Sequence, residues 1–291
     1  MVVVIGDVSS WVDEFFVEKG DLFLRVLNAR WKNAEQAAGL IASLLEGLGV
    51  GRGSCVLDLG CGNGRISVYL AKLGYRVVGV DISPLYIEDA WRKAREHGMV
   101  NGVEFIVGDA RRIDEVVGRR VFDAVFMYWT TIIGYYGDVE TDIEILSRIR
   151  KITRPGGYLL ILSQASYESA ATMYSFCGTM SYMDEIDEGT VLVEKPVFDP
   201  ISSTIESTWI YYRKKRRDLE YIGETRLRLR LYTLHELISI AEKAGWKLRE
   251  VYGRLKTLEP YKPGLTGLNL ILQNSAEDET GGEQAEGNGQ G

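Results

Sequence analysis

Cysteine is scarce and histidine scarcer in this chain of 291 residues: there are three cysteines, Cys55, Cys61 and Cys177, and two histidines. No two cysteines form a CxxC pair, their number is odd, and two of them sit inside an apolar, glycine-containing stretch. That pattern speaks against a disulfide or metal framework and suits a reduced, cytoplasmic compartment; no metal is expected. Long apolar runs are missing too. None reaches the roughly 18 residues that a membrane span needs, and the opening MVVVI is too short for the apolar core of a signal peptide and meets Asp7 at once. No membrane contact is expected.

Basic residues are absent from residues 275–291, SAEDETGGEQAEGNGQG, which hold five acids and five glycines. Such a segment buries too little apolar surface to offset its ordering entropy, so it reads as a disordered acidic tail. It also accounts for most of the net charge of −7, leaving about −2 on the body. A nearly neutral body argues against a surface that coats nucleic acid broadly, while leaving room for a local basic patch. The chain has no internal repeat, and 46% hydrophobic with 26% charged residues is the composition of a globular fold with a full core.

What is present is an alternation of periods. Residues 54–59 (SCVLDL), 75–80, 103–107, 121–127 and 157–163 are short Val/Ile/Leu-rich runs that read as buried parallel strands. Helical spacing fills the gaps over 65–73, 84–97 and 139–153, with Ser83 and Pro84 as a helix start. The expected fold is α/β, a doubly wound, mostly parallel sheet. Two segments depart from the scheme. Residues 1–53 read as an N-terminal helical cap, and 166–232 as an insertion carrying an antiparallel hairpin, IESTWIYYR and GETRLRLRLY separated by KKRRDLEYI. Residues 54–165 then form the binding core, and 233–274 complete the sheet with a helix boxed by Thr233 and Glu236 and two strands.

The stretch VLDLGCGNGR, residues 56–65, leads from the first strand into a helix. Its Gly60, Gly62 and Gly64 let a ligand lie against backbone at a helix N-terminus. The spacing is GxGxG, and Arg65 stands where the GxGxxG of a dinucleotide fingerprint has its third glycine. Asp58 would repel a pyrophosphate yet attract a ligand with an amino group and a sulfonium. Asp81 ends the second strand, where a carboxylate accepts ribose hydroxyls, and Asp109 follows the third, where one can accept from an adenine amine. Glycine turn and acids gather at the carboxyl ends of successive strands, the crevice where open sheets bind ligands.

In these motifs, with GVDISP, GDAR, FDAVFMYW and RPGGYLLIL in order, the chain from about Cys55 to Asn274 resembles the class I S-adenosylmethionine-dependent methyltransferases. The resemblance implies a seven-stranded sheet with an antiparallel last strand and S-adenosyl-L-methionine as cofactor. It implies that Asp58 and the turn Gly60, Cys61, Gly62, Asn63 and Gly64 hold the methionine part, Asp81 the ribose, and Asp109 with Ala110 the adenine, with Ile82 and Tyr128 as further cofactor-binding residues. In that family a leading helix often covers the cofactor, and residues 11–33 hold Trp11, Phe15, Phe16, Phe23 and Trp31, more aromatic surface than one packed helix requires.

On the acceptor side, MYWTTIIGYYGD offers Tyr128, Trp129, Thr130, Tyr135 and Tyr136 near the point where a methyl would emerge, with no catalytic residue named. The chain lacks the [DN]PP[YFW] element of enzymes acting on exocyclic base amines and the Pro-Cys nucleophile of cytosine-5 enzymes. The resemblance is to a broad subgroup acting on small molecules, so the expected acceptor is N or O of a small molecule or a peptide amine, reached by in-line displacement. An RNA methyltransferase using the basic run at 213–217 is the alternative and a dinucleotide-dependent oxidoreductase a weaker one. The basic run, followed by Asp218 and Glu220, reads as a solvated turn. Arg226, Arg228 and Arg230 alternate with Leu227, Leu229 and Leu231; the leucines face the protein, and the arginines face either water or an anionic substrate. His235 reads as a helix-start residue and His97 as a surface residue at a helix end.

Overall fold

Residues 9–129, 132–177 and 181–275 are described by a computed structural model of the protein. Most of the expected acidic tail, and Thr130 with Thr131, lie outside the described residues. The chain opens with α1 (Ser9–Asp13), a π-helical turn (Glu14–Glu18), α2 (Gly20–Ala29), a 3-10 turn (Arg30–Asn33) and α3 (Ala34–Gly47). Alternation follows: β1 (Cys55–Leu59), α4 (Arg65–Lys72), β2 (Arg76–Asp81), α5 (Pro84–Glu96), β3 (Val103–Val107), α6 (Ile113–Val117), β4 (Phe122–Tyr128), α7 (Val139–Lys151) and β5 (Thr153–Gln164). After α8 (Tyr167–Cys177) come β6 (Tyr182–Glu185), β7 (Thr190–Asp199), β8 (Thr204–Lys215) and β9 (Asp218–Arg230). Then α9 (Leu234–Lys243), β10 (Lys247–Arg254), β11 (Glu259–Pro260) and β12 (Leu268–Gln273) close the described chain.

The main sheet runs β3-β2-β1-β4-β5-β12-β10-β11. Strands β1 to β5 pair in parallel, and β12 inserts antiparallel between β5 and β10. The expected seven strands are there, extended to eight by the two-residue edge strand β11, whose Pro260 has no N–H and so suits an edge. Both faces are covered, which is why the central strands carry apolar residues without alternation. Helices α3, α4 and α5 pack with Ile41, Leu45, Val68, Leu70 and Ala90 on one face; α7 and α9 pack with Ile145, Leu146, Ile149, Leu237 and Ile240 on the other.

The insertion is larger than a hairpin. Strands β6 to β9 form a separate four-stranded antiparallel sheet, and the turn between β8 and β9 is only Arg216–Arg217, because Leu219 to Tyr221 pair with Tyr212 to Lys214 instead of looping out. Three of the five basic side chains of the run are paired there: Arg213 and Lys215 with Glu220, and Lys214 with Glu185. The inner face of this sheet joins the N-terminal helices through Phe15, Leu22, Val26, Leu192, Trp209 and Tyr211. Cap and insertion therefore share one core.

The helix starts follow the sequence in position and partly in chemistry. Thr233 and Glu236 form the reciprocal capping box, leaving His235 exposed on the first turn. Ser83 occupies the N-cap of α5, but its hydroxyl makes no capping bond. His97 is better anchored than its position suggests: its ring stacks on Trp31 at 5.5 Å between centroids and its Nδ1 lies 2.9 Å from Lys72 Nζ.

Candidate active site

At the carboxyl ends of β1, β2 and β4, a cavity of about 450 Å³ lies between the main sheet, the N-terminal helices and the second sheet. Its floor is the glycine turn. Gly60, Gly62 and Gly64 all have positive φ, and at Gly64 a Cβ would stand 2.6 Å from the Phe105 ring, so the third glycine is required by close packing beneath the site. Asp58 accepts a 2.6 Å hydrogen bond from Ser67 on α4. Burial pushes its carboxyl up to about 7, against the Ser67 hydrogen bond and the charge of Arg65. Asp81 accepts from the Gly62 amide at 2.8 Å and the Ser83 amide at 3.0 Å, so it ties the turn to the end of β2. Burial raises it to about 6, with those amides opposing. Two carboxylates are thus held nearly dry, with no cation among the described residues hydrogen-bonded to either.

The cavity brings together Asp58, Gly60, Cys61, Gly62, Asp81, Ile82, Ala110, Tyr128, Trp129, Tyr135 and Tyr136 of the residues singled out in the sequence. Asn63, Gly64 and Asp109 are not part of its lining. Asn63 is a strut: its side-chain amide donates to Asn28 on α2 and Asp89 on α5, each at 3.1 Å. The Asp109 carboxylate is engaged by Arg111, through the backbone amide at 2.8 Å and the guanidinium at 2.9 and 2.6 Å. That guanidinium in turn lies 4.6 Å from the Tyr136 ring centroid.

The roof and far wall come from residues the motifs do not mark. Trp11, Phe15, Phe16 and Phe23 hang over the cavity, whereas Trp31 packs outside it with Tyr69 and His97. Phe16 stacks on Tyr135 at 5.8 Å and Phe23 on Trp129 at 6.0 Å. Arg65, just after the turn, is only 8% exposed, with its guanidinium 5.3 Å from the Tyr128 ring and 5.8 Å from that of Trp129. Leu227, Leu229 and Leu231 line the far wall, while Arg226 and Arg228 point outward to Glu224 and Glu206. This decides between the two places left open for the arginines: those two belong to the outer surface.

The segment after β4 is clamped rather than loose at its far end. Gly134 donates to Asp142 at 3.0 Å and accepts from the Arg230 amide at 2.9 Å, and Tyr232 donates to the same Asp142 oxygen at 2.7 Å. Its φ of 88° and an Arg230 oxygen 2.1 Å from any Cβ admit only glycine. Trp129 and Ile132 also hold positive φ, 71° and 70°, a conformation unusual for bulky side chains that concentrates at functional sites. Among the described residues, no group of three or more His, Cys, Asp or Glu is arranged to hold a metal, and no helix is long and apolar enough to cross a membrane.

A family model described as a methyltransferase domain matches residues 56–157. Among curated proteins, the chain is 29% identical over 179 residues to the methyltransferase GfsG of Streptomyces halstedii, covering 59% of this chain and 62% of that one. The chain thus spans less than two thirds of that relative's length. Two solved structures share the fold: the CcbJ methyltransferase of Streptomyces caelestis (TM-score 0.69, 23% identity, 84% of this chain and 90% of that one), and S-adenosylmethionine-bound CalS10, an amino pentose methyltransferase of Micromonospora echinaspora (TM-score 0.63, 17% identity, 86% and 94%).

Proposed function

Given that the chain belongs to the class I S-adenosylmethionine-dependent methyltransferases, we propose that it binds S-adenosylmethionine in this cavity and transfers its methyl group to N or O of a small molecule or peptide amine. The observation that carries the reading is the pair of buried carboxylates, Asp58 and Asp81, set beside a glycine turn at the ends of adjacent strands. Asp58 meets the ammonium of the methionine part, and Asp81 the ribose hydroxyls. The open backbone of Gly60 to Gly62 lets both approach. Pyrophosphate would face Asp58 across a short, dry gap, which is unfavourable.

When bound, S-adenosylmethionine would supply an electrophilic methyl for in-line transfer to N or O of the acceptor, and Asp58, Asp81 and the glycine turn would hold it. The chain's own residues orient and exclude. Trp11, Phe16 and Phe23 with Trp129 and Tyr135 close an aromatic roof that keeps water from the reacting line, and Tyr128 and Arg65 border the cofactor side. A neutral amine needs no protein acid or base for such a displacement, whereas an ammonium must first lose its proton. Incubation of the protein with S-adenosylmethionine and a pool of metabolites tests this reading, with mass detection of S-adenosylhomocysteine and of products heavier by one methylene. Absence of nucleoside binding to folded protein would overturn it.

A further inference from the structure

The cavity extends beyond the space between Asp58 and Asp81, to the inner face of the second sheet. Along β7 and β8 the inward positions are Leu192, Glu194 and Pro196 against Ile205, Ser207, Trp209 and Tyr211, with Glu194 opposite Trp209 and Ser207 opposite Pro196. On β9, Leu227 stands opposite Ser207 and Leu229 opposite Ile205. One carboxylate and one hydroxyl, those of Glu194 and Ser207, thus interrupt an otherwise apolar strand face. Glu194 has no hydrogen-bond or ion-pair partner among the described residues; the nearby charge of Arg30 reaches it only at a distance, while the Arg30 guanidinium itself sits 4.2 Å over the Trp129 ring. Burial raises the Glu194 carboxyl above its ordinary value, with Arg30 opposing. Diagonally across the strand pair, the Ser207 hydroxyl is buried, 6% exposed, and also lacks a partner.

An acid placed on a buried apolar face, with a cation near it but none paired to it, is costly for the fold alone. A ligand that brings the missing charge removes that cost. We propose that the acceptor chamber takes an amphipathic amine, its ammonium held by Glu194 beside Ser207 and its apolar body laid along Leu227, Leu229, Ile205 and Pro196. This rests on the reading above and narrows its substrate class. Carboxylates and phosphates are disfavoured at the same place by the charge of Glu194.

The test compares n-octylamine, n-octanol and ethanolamine by calorimetric titration of the full chain, with and without S-adenosylhomocysteine. Wild type should bind n-octylamine about tenfold or more tighter than n-octanol, through the charged contact, and about tenfold or more tighter than ethanolamine, through the apolar wall. In Glu194→Gln the amine and the alcohol should bind alike, with S-adenosylhomocysteine affinity unchanged as the check on folding. Equal binding of amine and alcohol to wild type, or an amine preference that survives in Glu194→Gln, overturns the proposal; so does ethanolamine binding as well as n-octylamine. Failure of S-adenosylhomocysteine to bind would instead sink the function reading, and the titrations without it would still decide the amine question.

Discussion

Trp11 donates its indole N–H to the backbone carbonyl of Tyr135 at 2.9 Å, with the two rings 5.1 Å apart and edge-on. The N-terminal helices are thereby latched to the segment that follows β4, directly over the cavity. Replacing Trp11 with Phe keeps most of the apolar contact and removes the hydrogen bond, a loss of about 0.5–1.5 kcal/mol. The expected result is faster amide exchange over 11–29 and a cofactor that leaves more quickly, with the exchange of β1 and β4 unchanged. Exchange over 11–29 identical to wild type would show that the bond does not hold the roof.

The glycine turn gives an ordering of variants. Gly64→Ala places a Cβ against Phe105 and Ala90 beneath the sheet at a φ of +73°, whereas Gly62→Ala meets the flexible end of Leu27 at 3.2 Å. Both carry the cost of positive φ, about 1 kcal/mol. Gly64→Ala should therefore lower the melting temperature more, and Gly62→Ala should act mainly on ligand binding. Equal melting temperatures for the two would remove the packing account of Gly64.

Much of this geometry is legible in the sequence, for local reasons. The parallel strands announce themselves as apolar runs because both faces are covered, and the glycine turn and Asp81 are marked by their places at strand ends. What is not legible depends on long-range pairing. Strand β6, YMDE, is exposed along its length and shows no alternation, so nothing local separates it from a loop. The residues LEYI look like part of a charged turn because their partners lie across the hairpin. The excess aromatics of residues 11–33 are visible, but their partner, the inner face of β7 to β9, is not. Glu194 leaves a faint trace: in LVEKPVF it breaks an apolar alternation of Leu192, Pro196 and Phe198. Asp109 shows the reverse, a residue marked by its motif whose carboxylate the structure gives to Arg111.

The pH dependence follows from burial. Asp58 titrates near 7 and Asp81 near 6 in the folded, ligand-free protein, both above the ordinary 3.8. Raised carboxylate pKa values mean that the folded state binds more protons than the unfolded between those limits. Their contribution to stability is therefore full below about pH 4, is lost as pH rises through 6 and 7, and changes no further above. A cationic ligand prefers the ionised Asp58, so S-adenosylmethionine affinity should rise by up to about tenfold per pH unit between 5 and 7 and then level. Asp58→Asn should flatten that rise, and an affinity independent of pH in wild type would contradict the assignment of Asp58.

The most direct measurement is titration calorimetry of S-adenosylmethionine into wild type and Asp81→Ala, with NAD as the control ligand. Asp81→Ala removes the charge-assisted hydrogen bonds to the ribose, about 1.5–3 kcal/mol, or one to two orders of magnitude in affinity. It also frees the Gly62 amide that Asp81 holds at 2.8 Å. The account predicts S-adenosylmethionine binding by wild type, a loss of that size in a variant that melts cooperatively, and no NAD binding by either. Unchanged affinity in folded Asp81→Ala, or a preference of wild type for NAD, would contradict it.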